Sequence, residues 1–198
     1  MTAGEQKWDK KLNIRTGGRD ASEEDAHHLP YEPTPYSVLE RLAGTGWIAK
    51  DSLLIDYGCG KGRVPLFLSH RLGCRCIGID FNASVLAEAE RNLSTAAGTM
   101  RVSFLHESAE RYAVPPDADR FYFFNPFSLP TLQSALSRIF DSLYDRPRRV
   151  RLIFYYPSDA YLGYLMNEDG LTLADSADCS DLFPGDGREK LLCFEAGG

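Results

Sequence analysis

Ser52-Leu53-Leu54-Ile55-Asp56-Tyr57-Gly58-Cys59-Gly60-Lys61-Gly62-Arg63 is the stretch on which the fold turns. Its first half is a near-continuous apolar run of strand length, the pattern of a strand buried on both faces of a parallel sheet. Its second half sets glycines at 58, 60 and 62, after that strand and before a helix over Val64 to Leu72. Glycine lets the backbone turn sharply and lets another group come close, because no Cβ stands in the way. The nicotinamide and flavin fingerprint is G-x-G-x-x-G, with a pyrophosphate on the helix N-terminus. Here the last glycine arrives one residue early and an acid, Asp56, leads the loop. An acid there suits an ammonium-bearing ligand better than a pyrophosphate.

On either side of this stretch the punctuation is regular. Thr34-Pro35 predicts a helix start with Thr as N-cap, followed by Val38, Leu39 and Leu42 at helical spacing and a stop at Gly44. Strands are expected at Cys76–Asp80, Val102–Leu105, Arg120–Phe124 and Val150–Tyr156, with helices over Ala83–Ser94 and Thr131–Leu143. Leu171–Cys179 and Lys190–Glu195 alternate like an antiparallel finish. Strand-helix alternation implies right-handed crossovers, a mostly parallel doubly wound sheet and helices on both faces, hence an α/β fold. Ligands of such sheets bind at the carboxyl ends of the strands, near the point where strand order reverses.

The second chemical signal is Asp80, which ends the second strand 18 residues after Gly62. Open-sheet nucleotide folds place a carboxylate there to accept two ribose hydroxyls. An Asp at a strand end is also a common helix cap, so it is the coupling to the glycine loop that carries the assignment. Together these residues resemble the class I S-adenosylmethionine-dependent methyltransferases, whose hallmark is an acid-x-G-x-G-x-G loop after the first strand and an acid ending the second. The likeness spans roughly Thr34 to Glu195. It implies a Rossmann-like, seven-stranded, mostly parallel sheet with an antiparallel last strand, and S-adenosyl-L-methionine as cofactor. By that resemblance Gly58 and Gly60 flank the methionine part, Asp56 orients its amino group, Asp80 binds the ribose, and Cys59 and Phe81 also touch the cofactor. Glu107, Ser108 and Ala109, after the third strand, are where the family holds adenine.

Phe124-Asn125-Pro126-Phe127 resembles the N-P-P-Y/F motif of methyltransferases that act on nitrogens, though the second proline is missing. The resemblance implies that Asn125 accepts hydrogen bonds from the target amino group, and touches cofactor, while Phe127 stacks on the acceptor. Two acceptors would aim the nitrogen lone pair at the methyl, and positioning supplies most of the rate. Tyr31 and Thr34, in Tyr31-Glu32-Pro33-Thr34, resemble a stretch of some protein-lysine methyltransferases and are expected at the cofactor or as part of a substrate lid. Tyr155 and Tyr156, ending the fifth strand, are candidates for a pocket wall.

The 198 residues, 43% hydrophobic and 25% charged, suit one domain. Residues 1–30 read as an arm or lid with Trp8 as an anchor, and 31–198 as the methyltransferase domain. The net charge of −6 argues against charge-driven binding to nucleic acid or an anionic membrane. No apolar run reaches the roughly 20 residues that span a bilayer, and a cytoplasmic protein is the default. The five scattered cysteines lack the paired spacing of a zinc site, so no metal is expected and the thiols read as reduced. Arg146, Arg148, Arg149 and Arg151 precede the fifth strand at the sheet end opposite the chemistry, and read as a solvated loop. The partner expected is a small-molecule or protein methyl acceptor, with the protein a monomer or homodimer. The rivals are a non-catalytic cofactor-binding module of the same fold and, by fold class alone, an NAD(P)-dependent oxidoreductase.

Overall fold

The computed structural model describes residues 3–18, 32–183 and 185–197. Seven strands form one sheet in the order β3-β2-β1-β4-β5-β7-β6: β1 Leu53–Tyr57, β2 Arg75–Asp80, β3 Val102–His106, β4 Arg120–Phe123, β5 Val150–Tyr155, β6 Thr172–Asp178 and β7 Lys190–Ala196. Only β7 runs antiparallel to its neighbours. β1 is buried at every residue, as its unbroken apolar pattern requires of a central parallel strand. Strand order reverses between β1 and β4, so the loops that leave these two strands lie side by side at the carboxyl edge.

Helices α2 (Tyr36–Gly44), α3 (Arg63–Leu72) and α4 (Ala83–Thr95) contribute to the core on one face of the sheet, while α5 (Leu129–Asp145) and α6 (Asp159–Leu165) pack on the other. Tyr122, Tyr155 and Cys193 point into the first core, and Phe121, Phe123, Phe154 and Phe194 into the second, the two-residue alternation of strands. All five cysteines are buried free thiols. Among the described residues no helix is long and apolar enough to cross a membrane, and no cluster of three His, Cys, Asp or Glu side chains could hold a metal ion.

The front of the chain differs from expectation. Residues 3–18 are ordered against the body: α1 (Ala3–Leu12) packs on α2, with Leu12 and Ile14 buried. Trp8 does anchor it, lying edge-on to Phe67 and stacked on Tyr36. A ten-residue helix with so few apolar positions has little stability of its own, so tertiary packing makes it. The helix start at 34 is shifted too. Pro35, with φ −59° and ψ 139°, is the N-cap residue of α2 and offers no side-chain hydrogen bond. The Tyr36 N–H is taken instead by Glu5 Oε1 of α1 at 2.9 Å, a carboxylate on a helix N-terminus. Of the arginine run, Arg148 closes on the carbonyls of Ala118 and Ser142, tying the end of α5 to the start of β4.

Candidate active site

A cavity of about 640 Å³ opens along the carboxyl edge of the sheet. Its wall follows the strand order: Asp80 and Phe81 from the end of β2, Asp56 to Cys59 from β1, Phe124 to Pro126 after β4, Tyr155 and Tyr156 from β5, and Glu189 just before β7. With strands about 4.8 Å apart, it crosses four strand-to-strand steps, roughly 19 Å. That is long enough to seat two molecules end to end.

At the β2–β1 end the glycine loop is built as its sequence demands. Gly58, Gly60 and Gly62 all have positive φ, and the Gly58 and Cys59 amides donate to the Ile79 carbonyl. A Cβ on Gly58 would lie 2.4 Å from the Pro126 Cβ, so the missing side chain is what lets the loop after β4 close against this one. Cys59 lines the cavity, while its buried side chain packs on Gly78 of β2. Asp80 is fixed by two backbone amides, with Oδ2 accepting from Gly60 at 2.8 Å and Oδ1 from Asn82 at 2.9 Å. The competing role for Asp80 is filled by Asn82, whose side chain caps α4 through the Ser84 and Val85 amides. Asp80 is left for the cavity wall.

Two buried groups at this end lack partners. Among the described residues Asp56 Oδ2 accepts no hydrogen bond, and Arg63 Nη2 donates none. Burial and the nearby charge of Asp80 hold the Asp56 carboxyl well above the usual range. Arg63 is 2% exposed. Its other nitrogens reach the Thr16 hydroxyl at 2.7 Å, the Thr34 carbonyl at 3.1 Å and the Glu5 carboxylate, and its plane stacks 4.3 Å from the Tyr36 ring. Sequence reasoning overlooked this arginine. A signal was present, since a cation at the first position of a helix opposes the helix dipole and needs a compensating anion. Thr34 stands at the same wall but caps nothing: its hydroxyl meets the Tyr122 hydroxyl at 3.0 Å.

Several expected residues sit differently. The Ser108 amide, assigned to adenine, is taken at 2.8 Å by Glu107 Oε1, a bond that also holds the Glu107 carboxyl below its usual range. Glu107, Ser108 and Ala109 line a recess of about 20 Å³ beside the main cavity, sharing Gly58, Asp80 and Phe81 with it. Phe127 does not face the main cavity. Its ring lies edge-on to Tyr57 and Phe123 in the core under α5, and its carbonyl accepts from the Tyr161 hydroxyl. Burial among aromatic rings outweighs exposure at the cavity, so the expected stacking ring is absent there. Phe124 takes that place instead, 4.7 Å from Tyr155. Strand alternation shows why, since Tyr122 and Phe124 share the face opposite Phe121 and Phe123. Tyr31 lies outside the described residues.

Asn125 lines the cavity, and its amide fastens two loops. Nδ2 donates to the Tyr156 carbonyl at 2.5 Å and Oδ1 accepts from the Ser158 amide at 3.1 Å. Both ends of the first bond are left-handed non-glycine residues, Asn125 at φ 39° and Tyr156 at φ 48°. Such backbone strain persists only where the surroundings enforce it, and it gathers at functional sites. Beyond it, Tyr155 donates to Glu189 Oε2 at 2.5 Å, and Tyr156 donates to Asp186 at 2.7 Å.

Against known proteins, residues 54–145 match the model of a methyltransferase domain. Over those residues the chain is similar to methyltransferase domains, and its seven-stranded sheet is the fold that solved methyltransferases share. An RNA methyltransferase from Salinibacter ruber, solved with S-adenosyl-L-homocysteine, shares the fold at TM-score 0.60 and 18% identity over 84% of this chain and 94% of its own. A protein-lysine N-methyltransferase from Saccharolobus islandicus (strain REY15A) is 29% identical over 79 residues, 39% of this chain and 49% of that protein. Zinc finger CCCH domain-containing protein 24 from Arabidopsis thaliana is 44% identical over 75 residues, 38% of this chain and 9% of that protein. The methyltransferase chain thus matches half or less of the length of these two curated relatives.

Proposed function

We propose that this protein transfers a methyl group from S-adenosylmethionine to a nitrogen of a protein side chain or small molecule. The observation that carries the reading is the pair of buried, unpartnered groups of opposite character at one end of the cavity. Asp56 Oδ2 would take the ammonium of the cofactor's amino acid and Arg63 Nη2 its carboxylate, relieving the cost each group carries unpaired. Asp80, already oriented by Gly60 and Asn82, stands where ribose hydroxyls would be received. The cofactor supplies an activated methyl on a positive sulfur, so the protein's work is to bind, align and exclude water.

The nitrogen preference rests on the likeness of Asn125-Pro126-Phe127 to the motif of nitrogen methyltransferases. The Asn125 amide, expected to face the target amino group, is bonded to Tyr156 and Ser158 and holds the turn at Pro126 against Gly58. Residues 31–198 serve as the catalytic unit, with 1–30 as the attached arm. Calorimetric titration with S-adenosylhomocysteine, followed by labelled-methyl transfer to a panel of amines, tests the proposal. Micromolar binding with label appearing on nitrogen supports it. Binding without transfer to any acceptor would favour a cofactor-sensing module, and no binding would remove the reading altogether.

A further inference from the structure

At the β5–β7 end the cavity has a different chemistry from the cofactor end. Its walls there are rings, Phe124, Tyr155, Tyr156 and Phe183, with Glu189 bonded to the Tyr155 hydroxyl among them. The one described cation lining the cavity is Arg63, committed at the other end to Glu5, Thr16 and Thr34. Glu189 is half-buried, its Oε2 held by the Tyr155 hydroxyl, and it makes no ion pair with any described residue. Next to it, Tyr156 already shows what such a ring accepts. Arg188 of the same chain stacks 4.6 Å from its centre and lies beside Asp186.

We infer that this half of the cavity is a receptor for a primary alkylammonium group, the end of a lysine-type side chain, seated among Phe124, Tyr155 and Tyr156 with Glu189 as counter-ion. The inference rests on the methyltransferase reading and specifies its acceptor, which would bind as the ammonium, give up one proton to solvent, and then form the N–C bond as the methyl's C–S bond breaks and S-adenosylhomocysteine leaves. Aromatic faces attract a cation through their quadrupole, and an acid behind them adds charge that a neutral or anionic group cannot use. The aliphatic stem of such a side chain packs on the same rings. A nucleic acid acceptor is opposed here, because a phosphate would meet Glu189, while the nearest described cation, Arg188, is engaged by Tyr156 and Asp186 and does not line the cavity. Burial and the bond to Glu189 raise the Tyr155 hydroxyl, keeping it a neutral donor that orients the carboxylate.

The test uses the full chain saturated with S-adenosylhomocysteine, whose own binding isotherm is recorded first. Nα-acetyl-lysine methylamide and the neutral norleucine analogue are then titrated, with a short oligoribonucleotide as a third probe. The lysine amide should bind about tenfold more tightly than the norleucine amide. Glu189→Gln should bring the two near parity while leaving the S-adenosylhomocysteine isotherm unchanged. Equal affinity for both amides in wild-type protein with a normal S-adenosylhomocysteine isotherm overturns the inference and spares the methyltransferase reading. Binding of the oligoribonucleotide alone does the same. Absence of S-adenosylhomocysteine binding overturns both. The wild-type comparison decides the matter even where the variant fails to fold.

Discussion

The two ends of one cavity were assembled in opposite ways. At the β2–β1 end the chemistry comes from short consecutive stretches, Asp56 to Arg63 and Asp80 to Asn82, whose backbone amides and side chains close on each other. At the β4–β5–β7 end it comes from residues 30 or more positions apart, Asn125 with Tyr156 across the parallel β4–β5 pair and Tyr155 with Glu189 across the antiparallel β5–β7 pair. A conserved chemistry can be cradled by local turns, whereas a variable acceptor is met by side chains that the fold gathers from afar. The difference teaches where mutations should change affinity for cofactor and where they should change choice of acceptor.

The sharpest way to break that division is at Arg63, which serves both stability and ligand. Arg63→Met takes the buried cation away from the half-buried Glu5, and breaking such a pair costs about 3 kcal/mol. Urea unfolding should record that loss together with failure to bind S-adenosylhomocysteine. Next in size is Asp80→Ala, which removes a carboxylate oriented toward the ribose position without emptying the core. Loss of two charged hydrogen bonds, about 3 kcal/mol together, should weaken cofactor binding roughly 100-fold by calorimetry while acceptor selectivity holds.

Asp56→Asn sharpens the comparison through pH. The folded carboxyl keeps its proton well above the usual range, while the unfolded one loses it near pH 4. Above that point the native state holds more protons than the unfolded chain, so stability falls as pH rises until the folded group ionises. The variant should therefore melt a few degrees higher than wild type at neutral pH without ligand, yet bind cofactor more weakly. A variant that melted lower would break the assignment of Asp56 as an uncompensated buried acid. Smallest is the contrast within the Phe pair of the acceptor end. Phe124→Leu should raise the acceptor KM several-fold with little change in melting, whereas Phe127→Leu should lower melting and leave KM alone. Steady-state kinetics beside thermal melts would read both.

The same division explains what the sequence disclosed. The glycine loop and Asp80 were legible because their spacing along the chain is the geometry. β1 could be recognised because a strand buried on both faces has no polar alternation to confuse. Phe127 misled because Asn-Pro-Phe fixes a turn but not which side of the sheet the next ring enters, and that was set by packing under α5. α6 escaped notice because seven residues hold too few turns for periodicity to register. α1 escaped because its stability comes from Phe67 and Tyr36, far along the chain. Glu189 carried no local signal at all: only the return of β7 alongside β5 brings it to Tyr155.

The clasp of Glu5 and Thr16 on Arg63 makes the opening residues of the chain part of the floor beneath one end of the cavity. A ligand that settled on the spare guanidinium nitrogen would tighten the same buckle that secures the first helix, so limited proteolysis should cut Ala3–Leu12 more slowly when S-adenosylhomocysteine is present.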